Sequence, residues 1–330
     1  MIWKNISLIN VTEIELRQDG ALYLHRFPST AREAFTHSLA SYAAEVSKLT
    51  TGCELRFVGK SADVFLSADT YEGTVEIYRG DFFCRTERLQ EGVIKKIELR
   101  ENTLDTYPQE GGCFSSNVWR IVFDHDLRVV LHDVQGNVRP PEPHEVPKKK
   151  LLAYGSSITH SACAQLFTNS YIYNVAKRLG VDVLCKGMGG SCHIESEVTD
   201  YLYNEEWDFA SLELGINMVE LYPISVFEER ARRLITTLLK KGKPILLISN
   251  FTSYHNIPTS AFYKENADYV ACLERLYNEL KCDNLYYIRG QEIVTEWEYL
   301  SADLLHPSPY GHFEMGRKIA EKIQNEFKFL

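Results

Sequence analysis

The stretch Leu151 to His160, LLAYGSSITH, decides how this chain is to be read. Leu151-Leu152-Ala153-Tyr154 is a continuous apolar run of strand length, Gly155 lets the backbone turn off its end, and two serines follow at the turn. A strand buried on both faces reads as an unbroken apolar run, and in open α/β sheets the loops beyond the strand ends carry the ligands. Immediately before it, Arg139 to Lys150 (RPPEPHEVPKKK) holds four prolines and three lysines in twelve residues, a composition expected of an extended, exposed connector.

Downstream of that connector, strand-like and helix-like segments alternate. After Leu151–Tyr154 come a helix near Ser170–Leu179 and a strand at Val181–Cys185, then a strand at Phe209–Leu214 and a helix over Ser225–Lys241. They are followed by the strand Pro244–Ser249, a helix over Phe262–Lys281, the strand Asn284–Arg289 and a last helix from about Tyr310 to Phe327. This alternation predicts a parallel sheet covered on both faces, a three-layer α/β/α unit. In the last helix Phe313, Ile319, Ala320, Ile323 and Phe327 are expected to form one apolar stripe.

Upstream, from Thr51 to about Val138, the segments are short, rich in β-branched and aromatic residues, and separated by Gly, Asp and Asn turns. Cys53–Val58, Val64–Leu66, Gly73–Tyr78, Val93–Leu99, Trp119–Phe123 and Val129–Leu131 read as strands, several alternating with period two. The expectation is two domains: an all-β sandwich of jelly-roll type over residues 1–145 and the α/β unit over residues 146–330. Phe57, Tyr78 and Trp119 are expected in packed structure rather than on a sugar-stacking platform.

Composition narrows the function classes. The 330 residues are 45% apolar, 25% charged and 12% aromatic, which is ordinary for a globular protein and leaves out disordered and fibrous classes. Runs such as Ile245–Ile248 are far too short to span a bilayer. With 36 Lys and Arg against 45 Asp and Glu, net charge -9, no cationic excess exists to neutralise phosphates, and nucleic acid is not an expected partner. The eight cysteines include no C-x-x-C pair and read as reduced thiols, neither a disulfide framework nor a zinc knuckle. The first residues lack the basic and apolar regions of a secretory signal, so a cytoplasmic location is expected, although a cleaved signal would leave the same start.

Four turns after strands carry candidate chemistry. Gly155-Ser156-Ser157 places hydroxyls where a nucleophile belongs, Gly187-Met188-Gly189-Gly190-Ser191 lets backbone N–H groups approach an anion, and Gly215-Ile216-Asn217 sets an amide donor at a strand end. Asp303-Leu304-Leu305-His306 puts a carboxylate and an imidazole three residues apart, a spacing at which the acid can hold Nδ1 and leave Nε2 free as a base. Each alone is also ordinary turn chemistry. The glycine spacing is not that of a dinucleotide site, and no further His, Asp or Glu lies at helical spacing around His306 to suggest a metal.

Together, in this order, the four blocks G-S-S-I-T-H, G-M-G-G-S, L-G-I-N and D-L-L-H-P-S-P-Y-G-H resemble those of the SGNH (GDSL-like) hydrolase superfamily, over about Leu151 to Leu330. The resemblance implies Ser157 as nucleophile, His306 as base and Asp303 as its orienting partner, with the Ser157 N–H, the Gly190 N–H and the Asn217 amide as oxyanion donors. The chain departs from the pattern at Ser156, where many members have Asp, at Cys185, where Asn often precedes the glycine block, at Gly189, at Ser161, and at Met218 in place of the Asp of Gly-x-Asn-Asp.

A β-sandwich ahead of such a unit resembles carbohydrate esterases of the second family and related bacterial esterases. This resemblance implies a serine esterase for short acyl groups, acetyl above all, acting on a small-molecule or oligosaccharide ester and needing no cofactor. Tyr154, His160 and Met218 are expected to crowd the acyl group and exclude longer chains. The alternatives are a lipid or thioester acyl hydrolase and, from another class, an inactive carbohydrate-binding protein. His160 and His312 are expected to be local hydrogen-bonding residues rather than second bases.

Overall fold

The computed structural model describes residues 1–101 and 112–327. Two antiparallel sheets form the N-terminal half. The first runs β1 (Ile2–Trp3), β2 (Ile6–Ile9), β5 (Glu54–Val58), β10 (Val118–Phe123), β7 (Gly73–Arg79) and β8 (Phe82–Leu89). The second runs β3 (Glu13–Leu16), β4 (Leu22–His25), β11 (Val129–Gln135), β6 (Ser61–Ala68) and β9 (Lys95–Arg100). Period two sorts their side chains: Leu55 and Phe57 of β5, Val75 and Ile77 of β7, and Trp119 and Ile121 of β10 meet Val64, Leu66, Ile97 and Leu131 in one sandwich core.

The opposite face of the first sheet is the less usual one. Glu54, Arg56, Glu76 and Arg120 alternate with those core residues and are also buried, because this face lies against the C-terminal half. Arg56 joins Glu54 at 2.7 Å and Asp182 at 2.6 Å, and Arg120 joins Glu54 at 2.6 Å. Two guanidinium groups balance two carboxylates, as burial requires. Burial acts to raise the Glu54 carboxyl, but the two arginines outweigh it and bring it down to about 2. Tyr78 sits on this face too, its hydroxyl shared between Glu76 at 3.0 Å and Thr168 at 2.9 Å.

The C-terminal half is the expected three-layer unit. Its parallel sheet has the order β13 (Asp182–Gly187), β12 (Lys150–Gly155), β14 (Phe209–Glu213), β15 (Ile245–Ile248), β16 (Leu285–Ile288). Numbered from β12 this is 2-1-3-4-5, the flavodoxin-like order, with the switch point beside the end of β12. One face is covered by α3 (Tyr171–Leu179) and α7 (Pro309–Lys322), the other by α4 (Ser196–Asn204), α5 (Ile224–Leu239) and α6 (Tyr263–Leu280). Ser170 caps α3 by accepting the Tyr173 N–H at 3.3 Å, and Gly180 ends it in the left-handed region at φ +66.

Three features differ from the sequence expectation. The N-terminal half is not all β: α1 (Ser29–Phe35) and α2 (Ala43–Lys48) leave the sandwich after β4, and Phe27, Ala31, Phe35 and Ala43 join the core of the α/β unit around Leu152 and Trp207. The proline-rich connector is pinned rather than free, since Arg139 bridges Val58 through both backbone groups and ion-pairs at 2.7 Å with Glu145, which is buried. On α7 the apolar stripe runs through Met315, Ile319, Ala320 and Ile323, while Phe313 points outward, 45% exposed, under the Arg178 guanidinium. Among the described residues no helix is long and apolar enough to cross a membrane.

Candidate active site

Ser157 lies two residues past the end of β12, at the sheet's switch point. The chain there closes into a short turn in which the Ser156 carbonyl accepts the His160 N–H and the Ser157 carbonyl accepts the Ala162 N–H, each at 2.9 Å. Gly155 is required by close approach rather than by a left-handed turn: a Cβ there would fall 2.3 Å from Thr159 Oγ1 and 2.6 Å from Glu213 Oε2.

His306 comes from the loop before α7, 149 residues away. That loop is closed across its neck by Ser301 N–H to the His306 carbonyl and by Ser308 N–H to the Tyr299 carbonyl, both 2.8 Å. Ser308 then caps α7 by accepting the Gly311 N–H at 3.1 Å, with Pro309 in the first turn. The result is a chain of three side chains: Ser157 Oγ lies 2.8 Å from His306 Nε2, and His306 Nδ1 lies 2.6 Å from Asp303 Oδ2. Asp303 Oδ1 accepts the backbone N–H groups of Leu305 at 2.9 Å and His306 at 3.0 Å. Partial burial pushes the Asp303 carboxyl up, but the bond to His306 and these two N–H groups prevail and hold it below its usual range, as the anion.

The glycine block reaches the same place. A Cβ built on Gly189 would lie 3.8 Å from Ser157 Cβ, so this loop runs alongside the nucleophile turn. Gly190 has φ +62, a conformation glycine adopts without cost, and a Cβ there would strike the Tyr42 hydroxyl at 2.1 Å. The Asn217 side chain is tied to that block, its Oδ1 accepting the Cys192 N–H at 3.2 Å. With the oxygen committed, the amide NH2 is the end of Asn217 left to donate. Ser157, His306 and Asp303 are thus joined directly, and Gly190 and Asn217 belong to, or are tied to, the loop that runs alongside the nucleophile turn.

Other expectations fare differently. His160 is buried, with Nε2 2.7 Å from Thr51 Oγ1 and 3.2 Å from Arg26, and burial lowers its basicity. His312 Nδ1 accepts the Tyr171 N–H at 3.2 Å and Nε2 meets the Ala162 carbonyl at 2.9 Å, while burial brings its pKa to about 4. Both are structural residues, as expected. Tyr154, His160 and Met218 do not crowd an open acyl pocket: all three are buried, Tyr154 and Met218 in the hydrophobic core of the α/β unit.

Two residues of the site escape the sequence reading. Glu213, at the end of β14, lies beneath the serine turn and accepts from Ser156 N–H and Ser156 Oγ–H at 2.7 Å each and from Thr159 Oγ1 at 3.1 Å. Burial drives its carboxyl up to about 7 against those hydrogen bonds. Its one signal in sequence is a carboxylate closing the short buried strand FASLE. Tyr42, ahead of α2, donates its hydroxyl to the Gly190 carbonyl at 3.2 Å. For a metal, Cys163, Asp303 and His306 are the one candidate group among the described residues, with ligand atoms within 4.8 Å of one another. Asp303 Oδ2 and His306 Nδ1 are already bonded to each other there.

The family model of the GDSL-like lipase/acylhydrolase family matches residues 148–324, which covers more than half of the chain and every residue of this cluster except Tyr42. The chain belongs to that family. It is a carboxylic ester hydrolase by class. No curated protein matches it in sequence. Among solved structures, the GDSL-like chain is similar to the salicylyl-acyltransferase SsfX3 from a tetracycline biosynthetic pathway, at 15% identity and TM-score 0.78, covering 99% of this chain and 96% of that one. It is also similar to a family two carbohydrate esterase from Clostridium thermocellum in complex with cellohexaose, at 12% identity and TM-score 0.65 over 98% and 100%. A third similar structure is the acetyl xylan esterase Est2A from the rumen bacterium Butyrivibrio proteoclasticus, at 14% identity and TM-score 0.58 over 84% and 91%. At these identities the likeness is one of fold, and it extends through both halves.

Proposed function

We propose that this GDSL-like hydrolase removes short acyl groups, acetyl above all, from carbohydrate esters through a Ser157–His306–Asp303 triad. The observation that carries the reading is the continuous chain Ser157 Oγ–His306 Nε2, 2.8 Å, and His306 Nδ1–Asp303 Oδ2, 2.6 Å. Anionic Asp303 fixes the proton on Nδ1, so Nε2 presents a lone pair to the serine hydroxyl. Ser157 Oγ attacks the ester carbonyl as His306 takes its proton. The N–H groups of Ser157 and Gly190 and the Asn217 amide stabilise the oxyanion. His306 then gives the proton to the departing sugar oxygen, which leaves as a hydroxyl; water, deprotonated by the same imidazole, attacks the acyl-enzyme, and the proton returns to Ser157 Oγ as the acid is released. The carbohydrate part of the reading is supported by the two-part architecture shared with the carbohydrate esterases above.

A panel of acetyl, butyryl and octanoyl esters of one leaving group, beside an acetylated oligosaccharide, tests the reading with wild type and Ser157→Ala. The expected result, supported by the likeness to the acetyl xylan esterase rather than by crowding at Tyr154, His160 or Met218, is kcat/KM falling at least about tenfold from acetyl to butyryl. Activity that rises with chain length, as it does when each methylene finds an apolar pocket worth about 0.8 kcal/mol, replaces this reading with the lipid or thioester one.

A further inference from the structure

Beside the site, a cleft of about 490 Å3 opens between α2 and the edge of the sandwich. Three separate segments build it: α2 with the preceding Tyr42, the loop from β6 to β7 that carries Tyr71, and the loop from β10 to β11 that carries Asp126. Its volume lies in the range of small-molecule sites. Tyr42 forms its wall on the side of the nucleophile, because the same side chain bonds the Gly190 carbonyl, and the Gly189–Gly190 loop runs alongside Ser157.

The lining describes its ligand. Glu45, Lys48, Glu72, Asp126 and Arg128 make half of the ten lining residues charged, which is unsuited to an acyl chain. Both signs are present, Glu45 pairing with Lys48 at 2.7 Å and Arg128 with Asp69 at 2.9 Å, so no single sign selects an anionic or a cationic ligand. Tyr42 and Tyr71 add flat faces to this polar surface and are 50% and 57% exposed, whereas Phe57, Tyr78, Trp119 and Phe123 of the sandwich are buried. Exposed rings beside mixed donors and acceptors suit a neutral polyhydroxylated ligand, whose C–H faces stack on the rings while its hydroxyls bond to the charged groups.

We infer that this cleft binds the carbohydrate portion of the ester, the side that departs with the leaving oxygen, so that the sandwich takes part in substrate recognition. The inference rests on the carbohydrate reading above and adds the place and the residues. Tyr42 is the positioning residue between the two parts, holding the Gly190 carbonyl on one side and facing the sugar on the other.

The test compares wild type with Tyr71→Ala and Asp126→Asn on two substrates, an acetylated xylo-oligosaccharide and 4-nitrophenyl acetate, with titration of unmodified xylohexaose into Ser157→Ala alone and combined with Tyr71→Ala. Tyr71 lies at an exposed loop tip, and thermal melting checks that the variants fold. The expected result is a drop of at least about tenfold in the ratio of oligosaccharide kcat/KM to 4-nitrophenyl acetate kcat/KM, carried by KM, and a matching weakening of xylohexaose binding. If wild type cleaves both substrates and the ratio stays within twofold in both variants, the cleft is not the sugar site while the carbohydrate reading stands. If wild type cleaves 4-nitrophenyl acetate and not the oligosaccharide, the carbohydrate reading fails and this inference with it.

Discussion

Glu213 Oε2 holds both the backbone N–H and the hydroxyl of Ser156 at 2.7 Å, so a buried carboxyl on the neighbouring strand anchors the residue that precedes the nucleophile. At Ser156 the chain has a hydroxyl rather than an acid, and the carboxyl group comes from the adjacent strand β14. Ser156 Oγ in turn accepts the Ile158 N–H at 3.2 Å, which links the strand to the turn.

The Glu213 anchor predicts a pH-dependent stability. Its carboxyl is raised by burial from 4.5 to about 7, so the folded state holds the proton more tightly than the unfolded chain. That contribution is complete below pH 4.5 and is lost as pH rises through about 7. Glu213→Gln keeps an acceptor and has no proton to lose. The wild-type Tm should therefore fall relative to that of Glu213→Gln between about pH 5 and pH 8. Glu76 and Glu195, also raised to about 7 by burial, are common to both proteins and cancel in the difference. Parallel Tm curves would show that Glu213 does not titrate in this range.

Arg56 links the halves through charge. Arg56→Met leaves Glu54 with Arg120 alone and strips Asp182 of its guanidinium partner, at a bond of 2.6 Å. Removing one partner of a buried pair costs about 3–5 kcal/mol. Chemical denaturation should show a loss of that order, whereas Arg88→Met, whose partner Glu72 is an exposed residue, should cost less than about 1 kcal/mol. Equal losses would mean that the buried network is not what joins the halves.

Length and exposure set how much of the molecule is legible in its sequence. Strands of the parallel sheet hold apolar stretches such as Leu151–Tyr154 and Ile245–Ile248, and α5 and α6 exceed fifteen residues, so their patterns are plain. Helices α1 and α2 have seven and six residues and begin after Pro28 and Tyr42, neither of which caps through its side chain, so no start signal exists. Strand β8, FFCRTERL, is largely exposed and lacks a buried face to impose alternation. Ser157, His306 and Asp303 are readable because each sits in a short loop with its own residue pattern. Glu213 and Tyr42 are not, because their partners, Ser156 and Gly190, lie 57 and 148 residues away.

Asn217 and the triad should separate in kinetics. Asn217→Ala is expected to lower kcat by roughly 10²–10³ with little change in KM, because its bond strengthens only as the oxyanion forms. His306→Ala should cost on the order of 10³ or more, and Asp303→Asn less than that. An Asn217→Ala variant altered in KM alone would make Asn217 a ground-state binding residue.

Cys163 is exposed, has φ +64, and brings its sulfur within 4.8 Å of the Asp303 and His306 ligand atoms. A bulky maleimide should therefore cut esterase activity at least about fivefold in wild type and spare Cys163→Ser, although Cys84 and Cys282 are also exposed and react in both. Equal inhibition of the two proteins would place the effect elsewhere.

The central claim is that Ser157 is the nucleophile of an acyl-enzyme. A fluorophosphonate reacts only with a serine made nucleophilic by a neighbouring base. Treated with it at neutral pH, the wild-type protein should gain one adduct, mapped by peptide mass spectrometry to Ser157 and abolished in both Ser157→Ala and His306→Ala, with esterase activity lost in step with labelling. Labelling at another serine, or full activity in a protein labelled stoichiometrically at Ser157, would contradict it.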